Sequence, residues 1–227
     1  MSGPALVAVA HGSRNPAARE AVGALVRQVS RLAPVLDVRV AFLQHAEPSL
    51  ADALTGTGRD CVVIPLLLST GYHLTQDIAS AASAAGARVA GPLGPDSLLS
   101  TALAARLAEA GVPEGTAVVL AASGSSDPRA AADVRRQAEL LADQLGVPVT
   151  AAFASGAETT VEMAVAALQA STGGPVAVAT YLLAPGDFHD RLRKTPAHWV
   201  SAPLGGHPAV AALVLDRFRG VRAAAGI

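Results

Sequence analysis

Much of the chain is written twice. "AVAHGSRNPAA" (8–18) resembles "LAASGSSDPRA" (120–130), an offset of 112 when Gly12 is placed on Gly124. "AFLQHAEPSLADAL" (41–54) resembles "AAFASGAETTVEMAV" (151–165), and "VAGPLGPDSLLSTAL" (89–103) resembles "VSAPLGGHPAVAALV" (200–214), both at 111. Three matches, in order and at nearly one offset, mean that whatever one half forms the other forms too. The period is too long for a solenoid. It predicts two tandem domains, 1–113 and 114–227, joined through "GVPEGT" (111–116).

Each half alternates short β-branched runs with Ala-rich helical stretches. Strands are expected at 5–10, 36–42, 61–68 and 87–90, and again at 116–122, 147–153, 175–183 and 198–201. Helices are expected at 17–32, 48–55, 75–85 and 96–110, then at 128–145, 158–171, 187–194 and 208–222. Strand–helix alternation predicts an α/β fold with a parallel sheet in each half. "CVVIPLLL" and "TAVVLAA" are apolar on both faces, so helices must cover both sides of the sheet. The expected architecture is two tandem flavodoxin-like domains. With 51% hydrophobic but only 3% aromatic residues, their cores must be packed from Ala, Val and Leu.

Several function classes drop out. The net charge of −1 carries no basic stripe for nucleic acid. The single cysteine, Cys61, excludes an intrachain disulfide and a Cys-based zinc cluster, and its apolar run predicts a buried strand residue. The first residues lack a basic stretch and their apolar run is short, so no secretion signal is expected. No apolar run reaches about 18 residues, so no membrane span is expected either, and a cytoplasmic protein is the default.

In open α/β sheets ligands bind beyond the carboxyl ends of the strands, where strand order reverses. A flavodoxin-like order puts that point between the first and third strands. His11 ends strand one, and His73, in "LLLSTGYHLTQDI", follows strand three. Imidazole holds divalent transition metals and titrates near neutrality, so such a pair suits metal binding, proton transfer or both. His45 follows strand two, with Gln44 before it and Glu47 after it; all three are further candidate ligands. The plain alternative makes His45 an exposed loop residue and Glu47 part of a helix start. The repeat partner of Glu47, Glu158, favours that structural role.

Gly12, Ser13 and Arg14 lead into a helix, and Ser69, Thr70, Gly71 and Tyr72 form a second small-residue turn. Free N–H groups at helix starts attract anions, and Arg14 adds a fork for carboxylate or phosphate. Tyr72 can stack on a planar ligand. Both turns suit a ligand with several acidic groups. An ordinary Ser/Asn cap is the bland account of the first.

The two copies differ where the chemistry is expected. Gly124, Ser125 and Asp127-Pro128 are kept, but Ser123 replaces His11. His189 falls one position off His73 when Gly186 is placed on Gly71. The second half also carries a basic segment, Arg191, Arg193 and Lys194, with His198 and Trp199 nearby. A basic run is most often a solvated face.

"VAHGSRNP", "AEPSL", "VVIPLLLSTGYHLTQDI" and "GPLGPD" together resemble the class II chelatases of the sirohydrochlorin type, the CbiX/SirB family, over nearly the whole chain. The resemblance implies two chelatase-like domains with the active site in the cleft between them. It implies ATP-independent insertion of Fe²⁺, Co²⁺ or Ni²⁺ into sirohydrochlorin, with metal as substrate and no nucleotide. The family's two active-site histidines fall on His11 and His73. Its third metal-site residue is acidic, in an "FLE" context; this chain reads "FLQ", so Gln44 stands in that place. The duplication implies a monomer with an internal pseudo-dimer.

Two other classes compete. A metallochaperone or tetrapyrrole carrier with this fold would bind without turnover. A histidine phosphatase would share "HGS", but needs Arg before its catalytic histidine, where this chain has Ala10.

Overall fold

The strand registers repeat from one half to the other. In a computed structural model the described residues are 3–226, except 59, 71 and 156–158 and the side chains of 72–75. The first half runs β1 (Ala5–Ala10), α1 (Pro16–Leu32), β2 (Asp37–Phe42), α2 (Leu50–Leu54), β3 (Cys61–Pro65), α3 (Tyr72–Ala84), β4 (Arg88–Val89) and α4 (Ser97–Glu109). The second runs β5 (Ala117–Ala122), α5 (Pro128–Leu145), β6 (Val149–Phe153), α6 (Val161–Thr172), β7 (Val176–Tyr181), α7 (Asp187–Leu192), β8 (Trp199–Val200) and α8 (Pro208–Ala224). The sheets have the orders β2-β1-β3-β4 and β6-β5-β7-β8, and all described pairings are parallel. The α/β class and the position of the reversal, between the first and third strands of each sheet, are as expected.

The central strands are buried on both faces, as their unbroken apolar runs require. On one face of the first sheet, Ala5, Val7, Val9, Cys61 and Val63 pack with Leu50 and Leu54 of α2 and Ile78 and Ala82 of α3. Cys61 sits in that core, and burial pushes its thiol pKa up, so it is a packing residue. α1 starts at the Asn15 cap, whose side chain accepts from Ala17 N at 2.9 Å with Pro16 at the first turn. It buries Ala18, Val22, Leu25 and Val29, one stripe of a 3.6-residue period.

The compact units divide the chain differently from the repeat. One unit comprises the chain through Leu93 together with Gly205 onward; the other is Gly94–Leu204. The expected division at 111–116 follows the repeat, but the last helix of each half packs elsewhere. α4 buries Leu99, Ala102, Leu103 and Leu107 alongside α5 and β7. α8 buries Val210, Leu213, Val214 and Phe218 alongside α1 and β3. Each sheet therefore receives one covering helix from the other half. Because both helices carry equivalent apolar faces, a repeat in sequence cannot tell which sheet each will cover.

Other differences are local. α3 starts at Tyr72, three residues before the expected 75, so Tyr72 and His73 lie in its first turn. β3 ends at Pro65, and 66–70 are irregular chain. Among the described residues no helix is long and apolar enough to cross a membrane.

Candidate active site

His11 is the first residue beyond β1. The register sets Ala10 opposite Phe42 and Val9 opposite Pro65, so the loops after β1, β2 and β3 leave one end of the first sheet. Main-chain pairing continues past the strands. Leu43 N donates to Ala10 O at 3.0 Å, Gln44 N to His11 O at 3.0 Å, and Leu66 N to Val9 O at 2.8 Å. His11 is thereby fixed through its backbone while its side chain is exposed.

Gly12 follows with φ +94°, and a Cβ there would stand 1.7 Å from Gln44 O. Only glycine accommodates both the left-handed backbone and that approach. The second copy repeats the device: Gly124 has φ +93°, and its Cβ would stand 2.1 Å from Ser155 O. The glycine belongs to the fold and the histidine does not. Ser13 Oγ then accepts from Asn15 N at 3.0 Å, closing the turn into α1, while the Arg14 side chain is exposed.

Gln44, His45 and Glu47 are exposed on the 43–48 loop. Phe42 N donates to Pro48 O at 2.9 Å and closes the loop on itself, and His45 takes φ +60° within it. Ser69 and Thr70 are half-buried beyond β3. Gly71 and Glu158 lie outside the described residues, as do the side chains of Tyr72 and His73. The fold thus gathers residues 11–14, 44–47 and 69–70 at one end of one sheet, with 11 and 44 in direct main-chain contact. Among the described residues, no three or more His, Cys, Asp or Glu side chains gather into a metal cage.

Arg19, passed over in the sequence, faces the same turn. Its Nη1 donates to the carbonyls of Ser13 and Arg14, both at 3.4 Å. The one signal available was that Ala131 stands in its place in the second copy.

The second sheet shows what the duplicated end looks like without histidines at those two places. Ala117 lies opposite Val176 as Ala5 lies opposite Cys61, and α7 begins at Asp187 as α3 begins at Tyr72. Ser123 therefore occupies the place of His11, Ser155 that of Gln44 and Phe188 that of His73. His189 is one position beyond. It is half-buried, and burial lowers its pKa against the opposing pull of a hydrogen bond to the Ser201 backbone. Arg191 lies over the Phe188 ring, 4.6 Å from its centre. His198 Nδ1 accepts from Val176 N at 3.3 Å, so that ring holds the β7 entrance. A cavity of about 490 Å³ in this unit is lined by the carboxyl ends of α4 and α5 and the 112–116 segment. It sits at the amino end of β5, the opposite end from Ser123, and no histidine lines it.

A family model described as CbiX matches residues 5–110 and again residues 117–221. The chain belongs to the CbiX family. This CbiX-family chain is similar to the "Sirohydrochlorin ferrochelatase" of Bacillus subtilis (strain 168), at 28% identity over 236 residues, 95% of this chain and 90% of that protein. It is also similar to the "Sirohydrochlorin cobaltochelatase" of Methanosarcina barkeri, at 32% identity over 77 residues, 32% of this chain and 59% of that protein. Among solved structures, SirB from Bacillus subtilis with Fe³⁺ superposes with a TM-score of 0.84 at 27% identity, covering 100% of this chain and 98% of that one.

Proposed function

We infer that this CbiX-family chain is a sirohydrochlorin chelatase that inserts a divalent metal, Fe²⁺ first and Co²⁺ next, into the free ring. The observation that carries the reading is the likeness to a sirohydrochlorin ferrochelatase along 95% of the chain. The half of the chain that keeps both histidines supplies the chemistry, and the other half supplies scaffold.

Insertion must strip water from the metal and remove two pyrrole protons, so the ring exchanges two protons for one divalent cation and charge balances. A neutral imidazole can hold the metal or accept a proton. His11 and His73 are assigned these tasks. His11 has an exposed side chain on a braced backbone, and His73 stands in the first turn of α3 at the same end of the sheet. His45, Gln44 and Glu47 share the adjacent loop and are assigned to the metal's path, with Gln44 in the place of the family's carboxylate. Gly12, Ser13, Arg14, Ser69, Thr70, Gly71 and Tyr72 are assigned to the ring, whose rim of carboxylates matches an arginine and two turns of small polar residues. The enzyme is assigned to the cytoplasm as a monomer, since one chain already contains both copies of the fold.

Anaerobic insertion assays with Fe²⁺, Co²⁺ and Ni²⁺ test this on wild type, His11→Ala, His73→Ala and His45→Ala. The expected result is turnover with iron and cobalt, lost by at least about 100-fold in His11→Ala and His73→Ala with folding retained. Ring binding without any rate above the uncatalysed one would make the chain a carrier. Full activity in both histidine variants would overturn the assignment of the pair.

A further inference from the structure

We infer that Arg14 and Arg19 form a carboxylate-binding pair beside His11 that grips the acidic rim of the ring, with Arg19 the half anchored to the turn. The inference rests on the chelatase reading for the nature of the ligand, but not for the geometry.

Three observations carry it. The first is the lack of countercharge. Arg27, on the same helix, is held by Glu20, and Arg39 by Asp37 at 2.8 Å. Glu20 is the sequence neighbour of Arg19, yet its carboxylate is turned to Arg27. Among the described residues, neither Arg14 nor Arg19 has a carboxylate partner, so two exposed guanidinium groups, three and eight residues after His11 along the chain, stand unneutralised. Two such charges repel one another, and an anion between them relieves that repulsion.

The second is anchorage. Arg19 spends one amino group, Nη1, on the carbonyls of Ser13 and Arg14. That bond holds the guanidinium over the turn and leaves Nη2 and Nε unused among the described residues, the donors a carboxylate takes in pairs. A side chain already immobilised loses less freedom when it binds.

The third is the comparison inside the chain. The second copy keeps the turn, the glycine and the Asx-Pro helix start, but has Ser126 for Arg14 and Ala131 for Arg19. Its cap, Asp127, is instead paired with Arg129 at 2.8 Å. Both arginines are therefore dispensable for the turn and the helix. They are present in the copy that has His11 and absent from the copy that lacks it.

The test measures ring binding separately from turnover. Dissociation constants for metal-free sirohydrochlorin, and for the same ring with its carboxylates esterified, are compared among wild type, Arg19→Ala, Arg19→Lys and the control Arg27→Ala. Arg19→Ala is expected to weaken the free-acid ring about three- to tenfold, with a matching rise in KM for the ring and a smaller change in kcat. The esterified ring should bind all four proteins alike, and Arg27→Ala should match wild type. Arg19→Lys should recover part of the loss, since charge is restored without the fork. Equal free-acid affinity in wild type and Arg19→Ala overturns the pair, whatever the insertion assay gives. So does a fall in kcat with ring affinity unchanged, which would mark Arg19 as a brace alone. Absence of insertion by wild type overturns the chelatase reading instead.

Discussion

Gly12 and Gln44 meet backbone to backbone, so closely that a methyl group on Gly12 would stand 1.7 Å from the Gln44 carbonyl oxygen. This contact joins the loop that carries His11 to the loop that carries His45 and Glu47. Gly12→Ala must both relieve the clash and adopt φ +94°, so a loss of at least about 2 kcal/mol is expected by urea denaturation. Gly124→Ala should cost a similar amount, because Ser155 O crowds it in the same way. The two should part in the insertion assay, where only Gly12→Ala displaces the loop bearing His11. Equal loss of activity per unit of stability lost would place the site elsewhere.

A second duplicated device holds the two points at which the chain passes from one unit to the other. Arg217 of α8 donates to Pro92 O at 3.0 Å and Leu93 O at 2.8 Å; Arg106 of α4 donates to Leu204 O at 3.1 Å. The arginines are 111 residues apart, like the leucines they serve, and both leucines are fully buried. Arg217→Met keeps the aliphatic stem and strips the partners from those carbonyls. It should cost about 1–3 kcal/mol in urea denaturation, and Arg106→Met a comparable amount. The carbonyls they serve, Pro92 and Leu93 for one and Leu204 for the other, are different, so the double variant should be additive within about 0.5 kcal/mol. A loss under about 0.3 kcal/mol in each would show that water replaces the guanidinium.

The fold class, the strand order and the end of the sheet that carries His11 were legible because they depend on local pattern: apolar runs, an Asx-Pro helix start and a repeat. The exchange of α4 and α8 was not legible, since the apolar faces with Leu99 and Leu103 on one helix and Val210 and Val214 on the other do not name the sheet they cover. Gln137 marks one place where the sequence does distinguish them. It is fully buried, gives and receives bonds with the Asp96 backbone and donates to Ser100 Oγ at 2.8 Å, which ties α5 to the start of α4. Its counterpart on α1 is the apolar Leu25, so the asymmetry was present in the letters but meant nothing without the partner. At the site, His11 was visible by contrast with Ser123. Arg19 was hidden because its partners are backbone carbonyls, which no side-chain pattern betrays.

His189 gives the protein an acid-sensitive element far from the histidine pair in sequence. Burial holds its pKa below the ordinary value of about 6.5; Arg193 adds to that effect, and the Ser201 backbone and Asp190 oppose it. Between the lowered folded value and about 6.5 the unfolded chain binds a proton that the folded chain refuses. Stability therefore rises with pH across that window, and the contribution is lost as pH falls below about 6.5. His189→Gln removes the titration. Urea midpoints measured from pH 7.5 to 5 should fall less steeply for the variant than for wild type. Parallel curves would show that the imidazole is as well solvated in the fold as out of it.

Gln44 offers the sharpest test of how the metal is held. Its amide N is bonded to His11 O, so its side chain departs beside the histidine, and it is exposed. Changing it to glutamate alters neither length nor backbone contacts and exchanges a neutral oxygen donor for an anionic one. Divalent iron and cobalt bind carboxylate better than carboxamide. Gln44→Glu should therefore lower KM for the metal about three- to tenfold while leaving KM for the ring within about twofold. A fall in kcat beside it would mean that tighter holding slows release of metal into the ring, which still requires Gln44 to reach the metal. The contrary result is unchanged metal dependence in both constants. That would remove position 44 from the metal's path and leave His45 and Glu47 as the groups of that loop to be substituted next.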